Sequence, residues 1–145
     1  MTSLTLVRRV RARPSIVFEA MTTAEGIAHW WGPDQGEPVL HAEADPRPGG
    51  TYRVRFRTHD GAEHESSGEF LEVTPLTRIV MSWRWTLGGA DPGISRVEIV
   101  LRPVPEGTEI TFTHAQLADE ESRHSHEGGW NGAFDKLEAY LGGRA

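Results

Sequence analysis

The sequence predicts an α+β fold in which a curved antiparallel sheet of about six or seven strands closes over one long C-terminal helix, with two short helices after the first strand. Three observations predict it. From Thr51 to His114, apolar residues recur at every second position in successive segments, the period of strands that cover one face and wet the other. A single long stretch, starting at Asp119 or Ser122, carries Trp130, Phe134, Leu137 and Leu141 at spacings of four, three and four, one face of a 3.6-residue period. Helix signals lie at the two ends of the chain instead of alternating with strands, which favours segregated layers over βαβ winding.

The elements follow in order. Leu4, Leu6 and Val10 alternate with Thr5, Arg9 and Arg11 in a first strand, with Val7 and Arg8 out of pattern. Pro14 suits a first helical turn, where its missing N–H is not needed, and Ile16, Val17, Ala20 and Met21 form the apolar stripe of that helix. Thr22 or Thr23 caps a second helix bearing Ile27, Trp30 and Trp31, which Gly32 and Pro33 end. Val39 to Ala44 is a weaker strand, followed by a turn from Pro46 to Gly50. Tyr52, Val54 and Phe56 then face one way and Arg53, Arg55 and Arg57 the other. Asp60-Gly61 is a hairpin signal, and the return strand runs from Glu63 to Val73 with a bulge expected at Gly68. After Thr74-Pro75, Ile79, Met81, Trp83 and Trp85 share a face, opposite Ser82, Arg84 and Thr86. A glycine-rich loop from Gly88 to Gly93 leads to Val97, Ile99 and Leu101. Glu106-Gly107 turns into a last strand in which Ile110, Phe112 and His114 point together, and Gly142 ends the final helix.

Composition narrows the function classes. A chain of 145 residues fits one domain, residues 1–145, without repeats or linkers. The net charge of −6 and pI near 5.6 argue against nucleic acid, whose phosphates call for a basic face. No cysteine is present, which removes disulfides and thiolate chemistry. Met1 to Val10 has no apolar signal stretch and no segment approaches the roughly 20 apolar residues of a membrane span, so a cytoplasmic protein is expected. His124-Ser125-His126-Glu127 places its histidines two apart, not the four that put two imidazoles on one helix face, so no metal site is expected. His59, Glu63 and His64 flank the Asp60-Gly61 turn and read as a solvated hairpin tip. Gly88-Gly89 lacks the Lys-Ser/Thr of a phosphate loop, no Gly-x-Ser-x-Gly elbow is present, and no cofactor is implied.

Four segments occur in a telling order: Ala24-Glu25-Gly26-Ile27-Ala28-His29-Trp30-Trp31-Gly32-Pro33, then Pro48-Gly49-Gly50-Thr51-Tyr52, then Gly68-Glu69-Phe70-Leu71-Glu72-Val73, then His126-Glu127-Gly128-Gly129-Trp130. Together they resemble the START-like superfamily, and within it the bacterial branch related to the C-terminal domain of the activator of the ninety-kilodalton heat-shock protein ATPase. The resemblance spans nearly the whole chain and implies a helix-grip fold. Its members include lipid and hormone carriers, polyketide cyclases, chaperone activators and proteins of undefined role, so fold alone does not choose a function.

The expected site is an apolar pocket between sheet and helix, since such pockets are mostly apolar with a few polar groups. Its candidate ligand-binding residues are Tyr52, Phe56, Met81, Trp83, Trp85, Phe112, His114, His126, Trp130 and Phe134, weighed against the alternative that these aromatics simply fill a core. Binding of a small hydrophobic or aromatic molecule is the leading expectation. A polyketide cyclase-like enzyme using His114, His126 or Arg84 is one alternative. A chaperone ATPase activator is another, weakened because the chain has no room for the separate chaperone-binding domain that such activators carry. A homodimer through an exposed apolar rim at Trp30 and Trp31 is a further expectation.

Overall fold

Antiparallel pairing throughout gives a seven-stranded sheet of order β1-β7-β6-β5-β4-β3-β2. The structure, a computed structural model, describes residues 2–87 and 93–142, so the Gly88-Gly89 part of the expected loop lies outside the described residues. The strands are β1 (Thr2–Val10), β2 (Val39–Ala44), β3 (Thr51–Arg57), β4 (Glu63–Thr74), β5 (Arg78–Leu87), β6 (Ser95–Val104) and β7 (Gly107–Leu117). The helices are α1 (Pro14–Thr22), α2 (Ala24–Ile27) and α3 (Glu120–Gly142). Strands β2 to β7 each pair with the next in sequence, and β1 returns to the edge beside β7. This is the α+β helix-grip arrangement that the residue pattern predicts.

Alternation explains the burial. Tyr52, Val54 and Phe56 on β3, Ile79, Met81 and Trp83 on β5, Val97, Ile99 and Leu101 on β6, and Ile110, Phe112 and His114 on β7 are all buried. They meet Trp130, Phe134, Leu137 and Leu141 of α3 in one core. Each fully buried large side chain contributes about 2 kcal/mol, which holds α3 in place although Gly128, Gly129 and Gly132 lie in its middle. Arg8 breaks the pattern on β1 for a reason: its guanidinium donates to Asp135, Glu138 and Asn131 of α3 at 3.0, 3.2 and 3.0 Å. Val7, its neighbour, is turned out to solvent.

Caps and turns follow their residue chemistry. Thr23, not Thr22, caps α2, its hydroxyl accepting from Gly26 N at 3.0 Å. Asp119 accepts from Ser122 N at 2.8 Å at the start of α3. On the outer face, Glu65 is buried and accepts from Thr86 at 2.6 Å and Arg55 at 3.3 Å. The Thr86 hydroxyl chiefly, together with Arg53 and Arg55, holds its carboxyl below the usual range.

Two expectations are corrected. The bulges of β4 fall between Glu65 and Ser66 and between Phe70 and Glu72, not at Gly68. Gly68 instead allows a close approach, because a Cβ there would overlap Ser82 O. Tyr52, paired with Gly68, sends its hydroxyl across β4 to donate to that same carbonyl at 2.6 Å. Nor is there an exposed rim at Trp30 and Trp31. They are 1% and 3% exposed, and Trp30 Nε1 donates to Ala20 O at 2.8 Å inside the core. The physical ground for a dimer there is gone.

Candidate functional site

Between the inner face of β3 to β5 and the first half of α3 lies an open cavity of about 410 Å³. The strands contribute Phe56, His64, Trp83 and Trp85, the hairpin end contributes Thr58, and α3 contributes Ser125, His126, Gly129, Trp130 and Ala133. Trp31, Gly32 and Pro33 close one side. Apolar surface dominates the lining, as expected of a small-molecule site.

The walls are made of interlocked rings. Trp83 stacks on Trp31 at 5.6 Å between centroids and meets Trp85 edge-on at 5.5 Å and Trp130 at 5.1 Å. Such offset and edge-to-face pairs match the quadrupoles of the rings. Because the indoles brace one another, they hold the sheet and α3 apart instead of collapsing into the gap.

The loop carrying Trp31 is pinned at several points. Trp31 Nε1 donates to Ser66 Oγ at 3.3 Å. Lys136 Nζ, half-buried on α3, donates to Trp31 O at 3.0 Å and Asp34 O at 3.3 Å, and burial lowers its pKa. Gly132 lets the loop touch the helix, since a Cβ there would overlap Pro33 O. From the hairpin tip, His59 donates through its backbone N to Asp34 Oδ2 at 2.7 Å and through Nε2 to Gln35 O at 2.9 Å, a bond that raises its pKa. Loop, hairpin and helix thus define the mouth together.

Behind and beside the cavity, two histidines are wired into the aromatic set. Trp130 Nε1 donates to His114 Nδ1 at 3.0 Å, so the ring's proton sits on Nε2, which donates to Ser95 Oγ at 2.7 Å. His114 is fully buried, and desolvation, with a smaller contribution from His126, pushes its pKa down to about 3. His126 has the opposite tautomer. Its Nδ1 donates to Ser122 O at 2.7 Å, and Nε2 accepts from Trp85 Nε1 at 3.2 Å. Desolvation lowers its pKa too, against the Ser122 bond that raises it. Both rings are neutral at pH 7, with both nitrogens engaged.

Of the residues expected at the site, Phe56, Trp83, Trp85, His126 and Trp130 line the cavity. Tyr52, Met81, Phe112, His114 and Phe134 do not line it; they are packed in the core behind. Arg84 points to solvent on the outer face. Sequence reasoning missed Trp31, Thr58, His64 and Ser125. Trp31 and Gly32-Pro33 read as a helix end, and His64 as a hairpin tip. The available signal was the Gly129-x-x-Gly132 spacing, because glycines inside a helix weaken it unless another backbone must come close.

Among the described residues no three His, Cys, Asp or Glu side chains gather as a metal site, and no helix is long and apolar enough to cross a membrane.

The sequence model of the family described as Activator of Hsp90 ATPase homolog 1-like protein matches residues 11–142. Among solved structures, a protein of Chromobacterium violaceum is 26% identical with a TM-score of 0.83, over 97% of this chain and 98% of that one. A protein of Nitrosomonas europaea is likewise 26% identical, with a TM-score of 0.79 over 99% and 96% of the two chains. The AHSA1 protein of Silicibacter pomeroyi, at 24% identity, shares the fold with a TM-score of 0.87 over 99% and 100%. No curated protein matches.

Proposed function

Since this chain belongs to the Activator of Hsp90 ATPase homolog 1-like family, in the bacterial branch of the START-like superfamily, we propose that it binds a small, flat, largely apolar molecule between its sheet and α3. The observation that carries this reading is the cavity of about 410 Å³ walled by Trp31, Trp83, Trp85 and Trp130. Small-molecule sites span roughly 300 to 1,000 Å³ and bury most of the ligand against apolar and aromatic groups. Among the described residues no lysine or arginine lines it, so a carboxylate or phosphate would be buried without a counter-charge, at a large desolvation cost. A neutral ligand fits that wall.

Catalysis through His114 or His126 draws no support from their hydrogen bonds, which already use both nitrogens of each ring. Activation of a chaperone rests on the family description alone.

The test is calorimetry and native mass spectrometry against neutral polycyclic aromatics and lipids, with Ser125→Trp as control. Ser125 is exposed at the cavity wall, so an indole there fills the mouth without disturbing the core. The expected outcome is one ligand per chain, weakened at least about tenfold in Ser125→Trp, or roughly 1.4 kcal/mol. Failure of every ligand class to bind the unaltered protein would overturn the reading.

A further inference from the structure

The cavity wall is rich in side-chain donors that are already committed. Trp31, Trp85 and Trp130 give their indole N–H to Ser66, His126 and His114. Trp83 Nε1 is sealed from solvent and has no partner among the described residues. His126 spends its one N–H on Ser122 O. A ligand therefore meets few side-chain donors.

His64 differs. It stands opposite Phe56 in the β3–β4 ladder and lines the cavity. Its ring stacks beside Phe56 at 5.5 Å and meets Trp85 edge-on at 6.1 Å. Thr58 Oγ1 lies 2.5 Å from Asp60 Oδ1 and 3.3 Å from His64 Nε2. The Thr58 hydrogen bond is the leading cause that keeps the Asp60 carboxyl below its ordinary range, so Asp60 is the ionised acceptor and takes the one hydroxyl proton. Thr58 oxygen is then left to accept, which places a His64 proton on Nε2 and makes Nδ1 the acceptor of the neutral ring. Ser125 adds one exposed hydroxyl nearby.

We infer that His64, set in one tautomer by the Thr58–Asp60 chain, accepts a hydrogen bond from a ligand hydroxyl, so that the site selects neutral, flat aromatic molecules carrying a phenol-type O–H. This rests on the reading of the cavity as a ligand site and adds the chemical class. His64 is a specificity-determining residue here.

The experiment compares 2-naphthol with 2-methoxynaphthalene, which share a ring system but differ in the donor. Calorimetry on the wild type, His64→Phe and Thr58→Val gives the ratio of the two dissociation constants in each. His64→Phe keeps an aromatic ring and removes the acceptor, so the ratio shifts toward the ether by on the order of fivefold, the worth of one neutral hydrogen bond. Thr58→Val keeps the imidazole but releases its tautomer, and shifts the ratio in the same direction by less. Thermal melts establish that each variant is folded, and if His64→Phe is not, Thr58→Val decides alone. A ratio unchanged in the folded variants overturns the role of His64 while leaving the cavity reading intact. Absence of binding by both probes to the wild type overturns the cavity reading and this inference together.

Discussion

A buried imidazole with its pKa pushed down to about 3 ties the stability of the protein to pH. Trp130 N–H and Ser95 Oγ hold His114 in one neutral tautomer, and adding a proton at Nδ1 would set two donors against each other. In the unfolded chain a histidine takes up its proton near 6.5. Between about 6.5 and 3 the unfolded state therefore binds a proton that the folded state refuses, and stability falls as pH falls through that window. The slope from His114 is at most about 1.4 kcal/mol per pH unit, and His126, shifted in the same direction, adds to it. Carboxylates held low, such as Glu65, lose most of their contribution below their ordinary value of 4.5, in the lower part of the same window and below the pH 5 used for comparison. Urea unfolding at pH 7 and pH 5 should show a lower midpoint at pH 5. His114→Gln, whose amide can still accept from Trp130 and donate to Ser95, should narrow that difference. An equal or higher midpoint at pH 5 in the wild type would contradict this account of His114.

In α3, two glycines four residues apart have opposite reasons to be there. Gly128 faces open space, with nothing within 4 Å of where a side-chain methyl would stand, whereas a Cβ on Gly132 would overlap Pro33 O. Gly128→Ala should stabilise by about 0.5–1 kcal/mol through backbone entropy alone. Gly132→Ala gains the same propensity but must push the Trp31-Gly32-Pro33 loop away, with a net loss of about 1–3 kcal/mol expected. Thermal or denaturant unfolding of the two variants checks both signs, and stabilisation by Gly132→Ala would refute the close approach. This pair also shows where the sequence was legible. Strand faces such as Tyr52/Val54/Phe56 and Ile79/Met81/Trp83, and the Trp130/Phe134/Leu137/Leu141 stripe, follow from local periodicity, so they could be read directly. The loop that closes the cavity is set by contacts between residues far apart, Lys136 with Trp31 and Gly132 with Pro33, and no periodicity reports those. His114 faces the interior as alternation requires, but alternation does not say which buried residues reach the cavity and which pack behind it.

Across the whole molecule, the helix-grip arrangement sets a rigid aromatic frame between sheet and helix. Long-range pairing brings β1 beside β7, and Arg8 fastens α3 across that edge. The frame at the other end of α3 is held by edge-to-face indoles with their N–H groups satisfied or sealed, which favours a persistent opening over a filled core. Occupancy of that opening by a neutral aromatic ligand is the central claim, and the five tryptophans are built-in reporters. Trp31, Trp83, Trp85 and Trp130 line the cavity, while Trp30 lies outside it with its N–H on Ala20 O. The most direct measurement is a titration of 2-naphthol followed by the indole N–H resonances in a two-dimensional nitrogen–proton NMR spectrum. The account predicts saturable shifts at Trp31, Trp83, Trp85 and Trp130 and the smallest shift at Trp30; no saturable shift, or a Trp30 shift as large as the others, would contradict it.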